Sequence, residues 1–208
     1  MNTKDLCSGI FSDIMDSLGY KDQIITNYRN NWVSPVSLMG RARTLLIETY
    51  ETDDENISMG LGFLSCIGKG EILIVKGSYK FAYFGELMTR LCIRQGLEGV
   101  IIDGLTRDTT FTHSNCPLPI ISIGYSPVDI KGRGRVQAVD VDITISDVAI
   151  HKDDLIFADN DAICVIPQEI EKQVLSLAEA SIEEERKIIS MIDGGTSIED
   201  ILKQVKSF

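Results

Sequence analysis

The 208-residue chain reads as an α/β protein with a helical C-terminal tail, and three observations predict it. An apolar run, Gly99-Val100-Ile101-Ile102, breaks into Asp103-Gly104 and then sets Arg107 beside Asp108, the pattern of a buried strand whose far end delivers charge to one point. Just upstream, Phe84-Gly85-Glu86-Leu87-Met88 opens an amphipathic segment running to residue 95, so a helix N-terminus faces the same end of the sheet. Beyond residue 168 strand-like alternation gives way to a long amphipathic pattern, which supplies the tail.

Residues 5–18 repeat apolar positions at helical spacing, with Gly19 as the stop. Residues 38–47 and 71–75 read as strands, joined by a short crossover helix over 57–67 that Gly68 and Gly70 close. Residues 120–123 form a further strand. Residues 136–150 alternate for long stretches, and strands over 155–157 and 162–166 follow, separated by the turn Asp159-Asn160-Asp161, so the second half is β-rich and partly antiparallel. A helix over 168–192 then breaks at Gly194-Gly195, and Ser197-Ile198-Glu199-Asp200 resembles a capping box opening a last short helix. The chain therefore divides into an α/β domain, residues 1–167, and a helical tail, residues 168–208, packed on the same domain or on a neighbouring subunit. Within the tail, Glu183-Glu184-Glu185-Arg186-Lys187 reads by default as a solvated, salt-bridged face.

Composition bounds the function. At 44% hydrophobic and 25% charged residues the chain suits one sizeable core. No apolar run approaches the roughly 18 residues a spanning helix needs, so no membrane association is expected. Cys7, Cys66, Cys92, Cys116 and Cys164 are odd in number and lack CxxC spacing, which reads as reduced thiols in the cytoplasm. A net charge of −11 opposes general affinity for nucleic acid. The local exception, Lys131-Gly132-Arg133-Gly134-Arg135, reads as an exposed, glycine-loosened turn between strands, since three charges without interleaved aromatics make a poor RNA platform.

The chemistry points to Arg107 and Asp108. Aspartate is a hard oxygen ligand for a divalent cation, and arginine is a permanent planar cation that meets a carboxylate or enolate through two hydrogen bonds. Together they suggest metal-assisted chemistry on a small oxo acid. An Arg-Asp pair after a strand is on its own most often a turn or surface ion pair; its place beside a helix N-terminus in one βαβ-like unit shifts the balance toward a site. Other chemistries are poorly supported: there is no phosphate-binding or paired-glycine loop after a strand, and no zinc spacing. His113 lies near Arg107-Asp108 in sequence and is a candidate for the pocket mouth, whereas His151 beside Lys152 reads as exposed. Lys76 and Lys80 lack the buried setting a Schiff-base lysine needs.

These residues resemble a known family, the class II pyruvate aldolases that cleave 4-hydroxy-4-methyl-2-oxoglutarate and 4-carboxy-4-hydroxy-2-oxoadipate, whose superfamily also holds the non-catalytic regulator of ribonuclease E activity. The likeness runs through Ser12-Asp13-Ile14-Met15-Asp16, Met39-Gly40-Arg41-Ala42-Arg43-Thr44, Gly70-Glu71-Ile72-Leu73-Ile74-Val75, Gly85-Glu86-Leu87-Met88 and residues 99–108. It continues through Pro119-Ile120, Asp154-Leu155-Ile156-Phe157-Ala158-Asp159 and Val165-Ile166-Pro167. The resemblance implies a layered β/β/α swivelling-domain fold and a homotrimer or homohexamer with sites between subunits. It implies Asp108 as the direct ligand of Mg²⁺ or Mn²⁺, Arg107 as the stabiliser of the enolate, and the amides of Leu87 and Met88, after Gly85, as the clamp on the substrate carboxylate. Glu86 and, from a neighbouring subunit, Glu185 would act on the metal through water, Glu183 and Glu184 fitting nearly as well, while Asp103 would shape the strand end or the water network.

The resemblance thus implies a metal-dependent aldolase releasing pyruvate from a 4-hydroxy-2-oxo acid, with oxaloacetate decarboxylation by the same enolate chemistry. The alternative is a non-catalytic binding or regulatory protein, against which retention of both Arg107 and Asp108 argues. Nothing resembles an S-adenosylmethionine site. The chain departs from the family at Lys152-Asp153-Asp154, where relatives commonly have Pro-Gly-Asp, at Ala162 in place of a turn glycine, and over residues 109–114, the segment expected to face the non-pyruvyl half of the substrate.

Overall fold

The computed structural model describes residues 5–31, 37–51, 58–114 and 116–204; the expectations for Ile57 and for the ends of the chain, residues 1–4 and 205–208, lie outside the described residues. In chain order the elements are α1 (Ser8–Ser17), β1 (Ile24–Ile25), β2 (Arg29–Asn30), β3 (Leu38–Thr49), α2 (Ser58–Leu64), β4 (Glu71–Lys76), β5 (Ala82–Phe84), α3 (Glu86–Gln95) and β6 (Gly99–Thr106). Then follow α4 (Thr109–Thr112), β7 (Ile120–Tyr125), β8 (Gly134–Val139), β9 (Ile143–Ile145), β10 (Val148–Ile150), β11 (Leu155–Ala158), β12 (Ile163–Ile166), α5 (Glu171–Asp193) and α6 (Ile198–Leu202).

Strands β3, β4, β6 and β7 run parallel at the centre of a mixed sheet ordered β1-β12-β11-β3-β4-β6-β7-β2, with β5 also on β6 and β8 also on β3. The unbroken apolar runs Ile72-Leu73-Ile74-Val75 and Val100-Ile101-Ile102 are what such strands need, because both of their faces are covered. On one face Leu73, Val75, Val100 and Ile102 pack against Phe63 and Leu64 of α2 and Cys92 of α3. On the other, Ile72, Ile74, Ile101 and Ile121 meet Ile143, Ile145, Val148 and Ile150 of the β9–β10 hairpin. Hairpin, sheet and helices make the expected β/β/α layers. The hairpin turns on Ser146 and Asp147, both at positive φ (49° and 67°), the backbone hand that matches strand twist.

A third apolar cluster seats α1 and the first half of α5 on β11 and β12: Phe11 and Met15 meet Phe157, Cys164 and Ile166, with Val174, Ala178 and Ile182 alongside. Past Ile182 the inner face of α5 thins out, leaving Ile189 and Ile192 half exposed. Ser197 caps α6 as its sequence suggests, its hydroxyl accepting the Asp200 N–H. No described helix is long and apolar enough to cross a membrane.

Three sequence readings need correction. The tail helix spans Glu171–Asp193 rather than beginning at 168. The strands β1, β2 and β5, of two, two and three residues, have no counterpart in the reading, being too short for periodicity to register. Asp103 is not at the strand end: it lies inside β6, buried, opposite Lys76. Its carboxylate accepts from the Lys76 ammonium and from the hydroxyls of Tyr28 (2.9 Å) and Tyr79 (2.5 Å), so Lys76 is the partner of a buried acid and not a free amine. At the family departure before β11, Asp153 takes φ +67°, the left-handed conformation in which glycine is usual, and the buried Asp154 carboxylate accepts the His151 N–H at 2.8 Å.

One buried ion-pair network staples the parallel core. Arg43 of β3 forks onto both carboxylate oxygens of Asp140 at 2.8 Å, reaches Glu71 of β4 at 2.7 Å, and lies over the Phe63 ring of α2 at 5.1 Å. Burial raises the Asp140 carboxyl, but hydrogen bonds from Arg43 and Lys152 outweigh it and leave its pKa below the usual value. Arg43→Ala is expected to cost about 3 kcal/mol in urea unfolding at pH 7, because it leaves two half-buried acids with only Lys152 on Asp140 and the Gly68 amide on Glu71. For Asp140 the stability is present above its ordinary pKa near 3.8 and is lost as pH falls through the lowered one. The gap between parent and variant should therefore narrow in strong acid, and a gap that persists there would contradict the assignment.

Candidate functional site

The site is built where β6 leaves the sheet. The Arg107 N–H donates to Phe84 O at 2.9 Å, which holds the end of β6 against the end of β5 and brings Arg107-Asp108 across the start of α3. Gly85 permits the crossing: a Cβ there would stand 2.4 Å from Asp108 Oδ2 and 2.8 Å from Arg107 Cγ. Through that gap the Asp108 carboxylate accepts the Glu86 N–H at 2.9 Å, so an anion already sits on the first amide of α3, as the helix dipole favours. Asp108 is held at φ 60°, ψ 43°, an uncommon conformation for a residue with a side chain, which turns its carboxylate away from α4 and toward α3. The amides of Leu87 and Met88, next in the first turn, have no acceptor within their own helix.

Arg107 is shared between two acids. Its Nη1 lies 2.9 Å from Asp129 Oδ2, and its Nε lies 3.7 Å from Asp108 Oδ2. All three side chains are one-third to two-fifths exposed, so the pairs orient the guanidinium more than they stabilise the fold. The Glu86 carboxylate is turned along the helix to Arg90 at 2.7 Å, and Arg90 lies over the Phe111 ring of α4 at 4.2 Å.

Arg107 also lines a cavity of about 790 Å³ between α2, α3 and the start of β8. Its apolar walls are Leu61, Tyr83, Leu87, Met88, Leu91, Ile130 and Val136; its cations are Arg90, Arg94, Arg107, Lys131 and Arg135, against the single described acid Asp129. Three of these cations are held by acids, Arg90 by Glu86, Arg107 by Asp129 and Arg135 by Glu48 at 2.9 Å, so the partly apolar cavity presents positioned guanidinium groups suited to a small organic anion.

The structure thus brings Gly85, Glu86, Leu87, Met88, Arg107 and Asp108 to one place. It leaves Glu183, Glu184 and Glu185 exposed on α5, directly after Ile182, the last α5 residue in the cluster with β11 and β12; those strands lie three and four along from β6, roughly 14–19 Å at ordinary strand spacing. Within one chain Glu183 is paired with Arg186. His113 is drawn to Tyr125, Nε2 to hydroxyl at 2.9 Å, and is not among the residues lining the cavity. Missing from the sequence reading are Asp129, a lone acid with no motif around it, Tyr83, and the part played by Lys131 and Arg135, whose glycine-spaced charges signal a turn but not where it folds.

Among the described residues no three His, Cys, Asp or Glu side chains converge on a metal position. The donor set is one accessible carboxylate, Asp108, and that fits a hard cation which keeps most of its water, as Mg²⁺ does. Gly85→Ala is expected to lower stability by about 1–3 kcal/mol through overpacking and to force Asp108 off the Glu86 amide; an unchanged urea midpoint would show that the crossing has more room than its distances imply.

The chain and its fold have relatives among known proteins. Residues 8–165 match the family model described as RraA-like, aldolase/RraA. Protein DlpA of Legionella pneumophila is 22% identical over 92% of this chain and 31% of its own length. A Vibrio cholerae protein provisionally named 4-hydroxy-4-methyl-2-oxoglutarate aldolase is 37% identical over 46% of this chain and 60% of its own. The chain therefore matches about a third to two-thirds of the length of these curated relatives. Among solved structures, an uncharacterised protein from Pseudomonas syringae pv. tomato matches with TM-score 0.85 and 25% identity, covering 98% of this chain and 92% of that one. Streptomyces coelicolor RraAS2, described as an unusual member of the RNase ES inhibitor RraA family, matches with TM-score 0.74 and 22% identity over 87% of this chain and 88% of its own. With a β/β/α sheet shared with such structures and a family match over residues 8–165, the chain belongs to the RraA-like (aldolase/RraA) family.

Proposed function

We propose that the protein is a divalent-metal-dependent aldolase that cleaves a 4-hydroxy-2-oxo acid, of the 4-hydroxy-4-methyl-2-oxoglutarate kind, to pyruvate and a second carbonyl compound, and that it also decarboxylates oxaloacetate. The observation that carries the reading is the Arg107-Asp108 pair seated over the first turn of α3 through Gly85, at the edge of a cationic cavity. Provisional aldolase names among relatives of modest identity support it.

In this reading the amides of Leu87 and Met88 hold the substrate carboxylate, and Arg107 meets the oxygen at C2. Breaking the C3–C4 bond sends its electron pair into the pyruvyl unit as an enolate. The C4 hydroxyl gives up its proton to become the new carbonyl, and C3 later takes a proton to complete pyruvate. Arg107, prepositioned by Asp129 and Asp108, stabilises the negative charge as it develops on the C2 oxygen, without the rearrangement water would need. A Mg²⁺ or Mn²⁺ ion on Asp108 would add Lewis-acid polarisation of the 2-oxo acid. Glu86, and Glu185 of a neighbouring copy, contribute through water. The reading sets the protein in the cytoplasm with its five thiols reduced, acting on a small 2-oxo acid rather than on nucleic acid or a membrane.

The experiment is a pyruvate-release assay on a panel of 4-hydroxy-2-oxo acids and oxaloacetate, with Mg²⁺, with Mn²⁺ and with EDTA. Activity should vanish in chelator. Arg107→Ala should lose roughly 10²-fold or more in kcat/KM, with little recovered by Arg107→Lys, which lacks the planar fork. Asp108→Asn should weaken metal binding so that high Mn²⁺ restores part of the rate, while no metal rescues Arg107→Ala. If both variants stay within about twofold of an active parent on every substrate, the aldolase site is elsewhere. A parent inert on the whole panel would favour the non-catalytic role that RraA relatives fill on the same fold.

We propose also that the chain assembles as a homotrimer or homohexamer, because the acids of α5 stand far from Arg107 within one chain and the outer half of α5 leaves Ile189 and Ile192 open. Light scattering should give three or six times the 23.0 kDa chain mass; an active monomer would remove Glu185 from the site.

A further inference from the structure

Tyr83 is the middle residue of β5 and lines the same cavity as Arg107, between Leu61 of α2 and Met88 and Leu91 of α3. Its neighbour Phe84 is the residue whose carbonyl holds the Arg107 N–H, so the two cavity residues come from paired strand ends. The Tyr83 hydroxyl is buried and has no hydrogen-bond partner among the described residues. It presses on α2: a Cβ at Gly60 would stand 2.4 Å from the hydroxyl oxygen. Burial pushes the phenol above its ordinary pKa, so it remains a protonated donor.

An orphaned buried hydroxyl lowers stability, and phenylalanine would fill the same space without that penalty. Tyr83 lines the cavity while its hydroxyl is closed under α2 at Gly60, so an acceptor that arrives with the ligand reaches the hydroxyl only where α2 shifts. The cover over it is the least robust wall of the cavity, because α2 spans only Ser58–Leu64 and carries Gly60 and Gly62, both poor helix formers.

We propose that Tyr83 is a specificity residue, its hydroxyl donating a hydrogen bond, once α2 yields, to an oxygen that the substrate carries beyond C4. The inference rests on the aldolase reading and adds to it the residue that reads the distal half of the substrate: Tyr83 is what separates a distal carboxylate, as in 4-hydroxy-4-methyl-2-oxoglutarate, from a hydrocarbon end, as in 4-hydroxy-2-oxopentanoate.

The test compares the parent with Tyr83→Phe on those two substrates. The ratio of kcat/KM for the dicarboxylate to that for the monocarboxylate should fall about tenfold, mostly through KM, while the melting temperature of the ligand-free variant stays at or above the parent's. Gly60→Ala, which must displace the hydroxyl, should lower the same ratio. An active parent whose ratio Tyr83→Phe leaves unchanged overturns the assignment alone, as does a variant that melts lower and loses both substrates equally, since that describes a packing residue. A parent inert on both substrates overturns the aldolase reading and this assignment with it.

Discussion

The two-sided burial of β4 and β6 governs everything else in this chain. With α2 and α3 on one face and the β9–β10 hairpin on the other, neither strand can place a charge along its covered length without a partner. The chain makes that exception once, at Asp103, and there supplies an ammonium and two phenols. Apart from Glu71, which opens β4 and is met by Arg43, charge is deferred to the far end of these strands, where the backbone is free to turn and where the N-terminus of α3 offers unpaired amides.

At that end, electrostatics is arranged by geometry rather than by burial. Arg107 and Asp108 are both partly open to water, and their contact at 3.7 Å is too long for a strong hydrogen bond. What fixes them is backbone: the Arg107 amide on Phe84, the left-handed twist at Asp108, and a glycine at 85 that leaves the passage clear. The guanidinium is thereby aimed into a cavity lined by four more basic side chains, two of them, Arg90 and Arg135, held in place by acids outside its lining.

Much of this was legible in the chain, for physical reasons. Long continuous apolar runs and the helical period of residues 86–95 declare the parallel core, and Asp-Gly-x-x-Arg-Asp declares the strand end. The strands β1, β2 and β5 were not legible: two or three residues carry no period, and they exist only because a longer partner offers its edge. Asp103 misleads because an acid after an apolar run ordinarily marks a strand's end, and its partners Tyr28 and Tyr79 arrive from distant loops. Of the expected turn over residues 131–135 only 131–133 are a turn; Gly134 and Arg135 already belong to β8, and the part of Lys131 and Arg135 in the cavity depends on how β8 pairs with β3, which no local pattern encodes.

The hydrogen bond between Asp108 and the Glu86 amide has a consequence for ion discrimination. With Oδ2 already accepting that amide, and Oδ1 accepting nothing from the described residues, a cation drawn to Asp108 would find one oxygen wholly free and the other shared. A small ion that tolerates one carboxylate and fills its octahedron with water is satisfied by that offer. Calcium, which seeks six to eight oxygens and gains from chelation by both atoms of a carboxylate, is not. In the metal role proposed for Asp108, the amide that orients it would also act as a filter, setting ionic size and hydration, rather than charge alone, as the terms of entry.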